Sequence, residues 1–194
     1  GNLTSLTPAN FILGFGKIDG QDVIVGGEDF TVKGGSPNAA GLRKSVYTED
    51  LAVKHKFPLV RLHEGGGGSV AGPSKEKKGY GGDPVFSRSR FKSVAQTLKE
   101  VPVVSAALGP VAGLPASRFV GSHFRIMVKD NAQILVAGPA VVSRAFGKDF
   151  TKEELGGSDV HKKNGVTDNI AESEEDAFNP VSYTHLRAHE TSTY

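Results

Sequence analysis

The sequence predicts an α/β domain with a largely parallel sheet. Three observations lead there. Strand-like and helix-like patterns alternate along the chain. The run "VPVVSAAL" is apolar throughout, as in a parallel strand covered on both faces. "RFKSVAQTLKE" places Phe91, Val94, Ala95 and Leu98 at i, i+3, i+4 and i+7, the spacing of one helical face.

The elements follow in order. "FILGFGKI" and "DVIVGGEDFTV" read as two strands of a hairpin, joined by Asp19-Gly20, a dipeptide suited to a primed turn. "KGGSP" breaks that pattern and opens a helix, with Ser36 as N-cap and Pro37 at the first helical position. Leu42, Val46 and Val53 then mark one helical face. "PLVRL" is a short buried strand, followed by the glycine-rich stretch "HEGGGGSVAGPSKEKKGYGG". After the second helix and "VPVVSAAL", the segment "GPVAGLPASRFVG" turns at once into a helix start. "FRIMVKD" and "QILVAG" are strands, and "PAVVSRAFG" is a short helix opened by Pro139 and stopped by Gly147. Glu172, Glu174, Glu175 and Asp176 form an acidic cluster that faces water.

The GGGGS stretch has the composition of a linker between domains. A hinge needs a self-sufficient core on each side, and residues 1–60 are too few for one. The stretch therefore lies inside a single domain, residues 1–178. Residues 179–194, with "VSYTHLRAHET", lack an amphipathic period and read as a non-native tail.

Composition narrows the chemistry. The chain has 194 residues, of which 38% are hydrophobic and 23% charged. That is enough for one ordinary core. It contains no cysteine, which excludes disulfides, thiolate zinc sites and cysteine nucleophiles. The net charge is +2, with scattered basic residues, so nucleic acid is not an expected partner. The apolar runs are broken by Gly and Pro and are too short for a membrane span. "GNLTSLTPAN" has neither the basic nor the apolar region of a signal peptide, and a cytoplasmic location is the default expectation.

Two strand ends carry closely spaced glycines, "HEGGGGS" and "LGPVAGLPA". Glycine lets peptide N–H groups approach a ligand and adopts positive φ without strain. A helix starting at such a turn offers unsatisfied amides with partial positive charge. Side by side, two such turns can make an oxyanion hole; singly, each is a tight βα turn. Side-chain machinery is sparse. "GGGGSVAG" lacks the Gly-Lys-Ser/Thr ending of a phosphate loop and fits a dinucleotide fingerprint only loosely. No serine lies in G-x-S-x-G. His63-Glu64 reads as a rim histidine beside a solvated carboxylate or as a general-base pair. Asp159 and His161 have metal-like spacing but no third ligand nearby, so no metal is expected. Lys75, Lys77 and Lys78 read as a solvated loop or as phosphate contacts.

From Phe11 to Phe178 the motifs occur in an ordered series: "GFGKIDGQDVIVGGEDFTVKGGS", "EGGGGSVAG" with "GYGGDPVFSRS", "LGPVAGLPA", and "AGPAVVSRAFGKDFTKEELGGSDVHKKNGVTDNIAESEEDA". The series resembles the N-terminal domain of the carboxyltransferase subunit of biotin-dependent acyl-CoA carboxylases, of propionyl-CoA and methylcrotonyl-CoA type. "GKDFTKEELGG" with His161 and Gly165-Val166 is its most specific part. The resemblance implies a crotonase/ClpP-like ββα spiral whose N-domain binds acyl-CoA while a second domain binds biotin. Carboxybiotin on a carrier protein then supplies both the carboxyl group and the base, which accounts for the sparse side-chain machinery. The expected partners are that C-terminal domain, a biotin carrier or biotin carboxylase subunit, and further copies in a homo-oligomer. In a eukaryote the location would be the mitochondrial matrix.

The resemblance also implies site residues. Where the family has D-S-G-G-A-R, this chain has Glu64 to Ser69, keeping Gly66 and Gly67 but carrying Ser69 at the arginine position. Where many members have G-P-C-A-G-G-A, it has Gly109 to Pro115, keeping Gly113 and replacing the second glycine by Leu114. Gly66, Gly67, Gly113 and Leu114 are thus the expected enolate donors, and Gly34, Gly35, Ser36 and Gly68 the expected CoA contacts. Three rival functions follow from the same residues. One is a crotonase-type enoyl-CoA hydratase or isomerase using Glu64. Another is a decarboxylase running the transfer in reverse, and the third is a non-catalytic CoA-binding or assembly module.

Overall fold

The computed structural model describes residues 8–67 and 89–179. Strands β1 (Phe11–Ile18) and β2 (Gln21–Glu28) form the expected hairpin. Asp19 and Gly20 both have positive φ, as a two-residue primed turn requires, and Ile18 pairs directly with Gln21. A 3-10 turn (Lys33–Gly35) leads to α1 (Ala39–His55) and β3 (Leu59–Gly65). Then come α2 (Arg90–Glu100), β4 (Val103–Ala112), α3 (Leu114–Gly121), β5 (Phe124–Val128) and β6 (Gln133–Leu135). The rest comprises α4 (Pro139–Phe146), α5 (Lys152–Gly156), α6 (Ser158–Asn164) and β7 (Asn169–Ala171), with residues 174–179 helical.

The sheet runs β1-β2-β3-β4-β5-β7, with β6 paired to β4 off that path. Only the β1–β2 pair is antiparallel among the named strands. Residues Val103–Ala107 of β4 are buried without interruption, which explains why all but Ser105 are apolar. One core cluster lies between the sheet, helix α1 and the end of α2: Ile24, Leu59 and Val103 against Leu51 and Ala52 of α1 and Val101 just after α2. The other gathers Val60, Val104, Val111, Phe119, Ile126, Met127 and Ile134. Each fully buried Leu, Ile or Phe side chain contributes about 1.5–3 kcal/mol.

Three local expectations are corrected. Helix α1 starts at Ala39, capped by Asn38, whose side chain accepts the Gly41 N–H at 2.7 Å. Ser36 lies two residues before that cap, and its hydroxyl donates instead to the Gly67 carbonyl. The buried positions of α2 are Ser93 and Thr97, while Phe91 is 66% exposed and Val94 and Leu98 are half-buried. Small polar side chains allow α2 to lie close against α1, and Phe91 instead walls an apolar cavity with Leu114, Val120 and Val136. Finally, "GPVA" does not turn. It prolongs β4, where Pro110, Val111 and Ala112 pair with β6, and the bend comes only at Gly113.

Candidate functional site

The site is where the C-terminal ends of β2, β3 and β4 meet the starts of α1 and α3. The chain passes through Lys33, Gly34 and Gly35 with φ of 57°, 60° and 68°, three successive left-handed residues. This coil brings Gly35 so close to Glu64 and Gly65 that a Cβ on Gly35 would overlap the Gly65 Cα. Asn10, fully buried, clamps the coil from behind. Its amide nitrogen donates to the Ser36 carbonyl at 2.6 Å, and its oxygen accepts the Asn38 N–H at 3.1 Å.

The two glycine turns expected to share a function do meet. A Cβ on Gly67 would lie 3.0 Å from both the Ala112 carbonyl oxygen and the Gly113 Cα, so the backbones touch there. Gly113 has φ 68° and ψ −130° and starts α3, with Leu114 as first residue and Pro115 next. That backbone conformation is open to glycine. The amides divide into two kinds. Gly66 N–H donates to Gly34 O at 3.0 Å, and Gly113 N–H to Leu135 O at 3.3 Å. The Gly67 and Leu114 N–H groups have no acceptor among the described residues. Gly67 and Leu114 both line one small pocket of about 50 Å3, together with Gly35, Pro37, Glu28 and Arg118. Gly34, Gly35 and Ser36 form the wall next to Gly67, whose carbonyl accepts the Ser36 hydroxyl at 3.0 Å. Gly68 and Lys75, Lys77 and Lys78 lie outside the described residues, as does the chain from residue 180 onward.

The comparisons with known proteins agree on one family. The carboxyl transferase domain family matches residues 5–190. This chain belongs to it. It is 32% identical over 173 residues to the methylmalonyl-CoA decarboxylase subunit alpha of Veillonella parvula, covering 89% of this chain and 33% of that one. It is 32% identical over 171 residues to the biotin-dependent acetyl-/propionyl-coenzyme A carboxylase beta5 subunit of Mycobacterium leprae, covering 88% and 30%. Among solved structures it resembles the transcarboxylase 12S hexamer with methylmalonyl-coenzyme A and methylmalonic acid bound. That match has a TM-score of 0.71 and 25% identity, over 90% of this chain and 33% of the other. The likeness bears out the crotonase-like α/β fold. This carboxyl transferase domain spans about a third of the length of the relatives it matches.

Behind the amides of this carboxyl transferase domain lies a buried polar cluster that the sequence reading missed. Glu49 of α1 is fully buried, and its Oε1 accepts from Arg61 Nη2 at 2.6 Å and from Arg118 Nε at 2.9 Å. Arg118 Nη1 also donates to the Ser45 hydroxyl at 3.3 Å. The second oxygen of Glu49, Arg61 Nε and Arg118 Nη2 have no partner among the described residues. Burial pulls the Arg118 guanidinium below its ordinary range, aided by Arg61, while Glu49 and Glu28 oppose the shift. One signal for this cluster was present: Arg61 interrupts the otherwise apolar run Pro58–Leu62.

His63 is not at a rim. It is 2% exposed, and its partner is Glu28, whose Oε2 lies 3.1 Å from His63 Nδ1. Ser105 Oγ lies 3.4 Å from the other ring nitrogen and 2.7 Å from Ser122 Oγ. The order Glu28–His63–Ser105 has the form of a hydrolytic triad, but Ser105 is wholly buried, so no substrate reaches it. Burial pushes the Glu28 carboxyl up, yet the charge and hydrogen bond of His63, with Arg118, outweigh this and hold it low. Strand alternation turns Glu64 to the other face, into a cleft with Leu62 and Leu108, where burial and the nearby Glu174 push its carboxyl up. His161 is engaged too: its Nε2 lies 2.8 Å from the Ile134 carbonyl and its Nδ1 3.2 Å from the Asn164 amide.

Proposed function

We propose that this chain is the acyl-CoA-binding part of a carboxyltransferase that moves a carboxyl group between a biotin carrier and the α-carbon of an acyl-CoA. The observation that carries the reading is that Gly67, which abuts Gly113, and Leu114, the residue after Gly113, line one pocket with amide protons that lack an acceptor among the described residues. The thioester carbonyl is placed against these two donors. As the α-proton leaves, negative charge builds on that oxygen, and each well-aimed donor lowers the barrier by about 3–4 kcal/mol. Because Leu114 opens α3, the helix N-terminus adds partial positive charge at the same point.

The donor set is thereby narrowed. Gly66 and Gly113 have their own N–H groups engaged. Gly113 acts by geometry, through its positive φ and its close contact with Gly67, and Gly66 ties the loop to the Gly34 carbonyl. Gly35 and Ser36 shape the neighbouring wall where the CoA thioester enters. Biotin, when delivered by its carrier, supplies the carboxyl group and the base. The described residues around the amide pair fit that division, since the carboxylate lining the small pocket, Glu28, is held by His63. Glu64 lines a different cleft, which disfavours a hydratase working at the Gly67–Leu114 pair. A biotin-binding second domain, a biotin carrier and further copies of the chain are the partners this reading requires.

The test uses the full-length protein with a carboxylated biotin carrier and a panel of short acyl-CoAs. Formation of the carboxylated acyl-CoA, or its decarboxylation in reverse, supports the proposal. Hydration of an enoyl-CoA without biotin, or CoA binding with no product in either direction, refutes it.

A further inference from the structure

We infer that Glu49 is a positioning residue that sets the separation of the Gly67 and Leu114 amides. The inference rests on reading those amides as the enolate donors, but its test has a readout independent of turnover. One carboxylate oxygen joins the three elements that form the site. Glu49 belongs to α1, the helix that follows the Ser36 turn. Arg61 belongs to β3, the strand that runs into Gly66 and Gly67. Arg118 lies one helical turn after Leu114 on α3 and lines the same small pocket as Leu114 and Gly67. Ser36 closes the loop from the other end, by its bond to the Gly67 carbonyl.

The cluster is poorly designed for stability alone. It buries one negative and two positive side chains, and leaves an oxygen and two guanidinium nitrogens without partners among the described residues. Well-packed apolar residues in such a place are often as stable or more so. What apolar packing cannot supply is direction. Two charge-assisted hydrogen bonds of 2.6 and 2.9 Å converge on a single atom. They fix the angle between β3 and α3, and so the distance between the residues at their ends. A catalytic geometry displaced by about 1 Å can lose on the order of a hundredfold in rate.

The experiment compares the full-length protein with Glu49→Gln and with Glu49→Gln/Arg61→Met, which restores the original charge balance. Hydrogen exchange by mass spectrometry is read over residues 59–67, 112–118 and, as internal reference, 124–128. Melting temperature, kcat and KM for acyl-CoA are measured alongside. The expected result is faster exchange at 59–67 and 112–118 in both variants with 124–128 unchanged. Alongside it, kcat should fall about 10- to 100-fold with KM nearly constant. The double variant should regain melting temperature without regaining kcat. If kcat recovers together with melting temperature, or if exchange rises evenly over all three segments, Glu49 is only a stabilising residue and the inference fails. If the wild-type protein has no turnover at all, the functional reading fails. The positioning role is then decided by the exchange pattern alone.

Discussion

The Ser36 hydroxyl donates to the carbonyl of Gly67 across 3.0 Å, joining the left-handed coil before α1 to the end of β3. That bond holds the Gly67 carbonyl, one peptide beyond the Gly67 N–H, while the Gly67 Cα abuts Ala112 and Gly113. The loop is thus held from two sides by groups that are not themselves donors to a ligand. Preorganisation of this kind is what backbone-amide catalysis needs, because a donor that must reorient during the reaction loses most of its advantage.

Removing the tether tests this directly. In Ser36→Ala the stability loss should be small, about 0.5–1.5 kcal/mol, the net value of one hydrogen bond. Turnover should fall more than stability suggests, by roughly 3- to 10-fold in kcat/KM, as the Gly67 peptide gains freedom. Steady-state kinetics and thermal melts of the full-length protein check both figures. Unaltered kcat/KM would show that the bond merely decorates the loop.

Gly67→Ala asks for more room than the site has. The added methyl would stand 3.0 Å from the Ala112 oxygen and the Gly113 Cα, both backbone atoms that cannot rotate away. The two turns must give by a few tenths of an ångström, and kcat should drop by roughly 10-fold while the protein still folds. Gly14→Ala on the edge strand β1 is the matched control. Nothing lies within 4 Å of its would-be Cβ. Activity should therefore be unchanged, and stability equal or up to about 1 kcal/mol higher.

These predictions depend on contacts that the sequence disclosed unevenly. The hairpin, the buried strands and α4 were readable because each rests on local chemistry: Asp19-Gly20, an unbroken apolar run, and Pro139 with Gly147. The meeting of Gly67 with Gly113 was legible only through the ordered motifs, since no local pattern says which two loops adjoin. The α2 face was misread in part because periodicity counts Phe91 and Ala95 as core, whereas both are exposed. Leu98 packs half-buried against the core, and the fully buried positions are the small residues Ser93 and Thr97. The Glu49–Arg61–Arg118 cluster spans three elements distant in sequence, and charged residues default to solvent in any local reading. Ser36 looked like a cap because its residue type caps well. Its actual partner, Gly67, lies beyond the whole of α1 and β3.

Gly113 calls for a graded substitution series. Its φ of 68° and ψ of −130° lie outside the regions open to residues with a side chain. Gly113→Ala therefore carries about 1–3 kcal/mol of backbone strain before any contact with substrate. Gly113→Val adds branching and should lose carboxyl transfer altogether. Both variants should melt lower than wild type, and circular dichroism should show retained helix content at low temperature. A Gly113→Val protein with normal turnover would remove Leu114, whose orientation Gly113 sets, from the donor pair.

The Glu28–His63 pair predicts how acid acts on this fold. Glu28 is a carboxyl whose folded value lies below its ordinary 4.5, through His63 and Arg118 acting against burial. For a depressed carboxylate the sign is fixed: the folded state binds its proton less readily than the unfolded chain. Its stabilising contribution is therefore complete above about pH 4.5 and is lost as pH falls through the lower folded value. Protonation removes the negative charge that faces His63 and Arg118 in the buried junction, so the β2–β3 junction beside Gly65 should be the first part to loosen. Glu28→Gln should lower stability at pH 7, where wild type benefits from the ionised carboxylate, and should flatten the dependence on pH below 4.5. Urea midpoints measured from pH 3 to pH 7 supply the check. Parallel curves for the two proteins over that range would mean that the carboxylate contributes nothing titratable to folding, and that the loss in acid begins elsewhere.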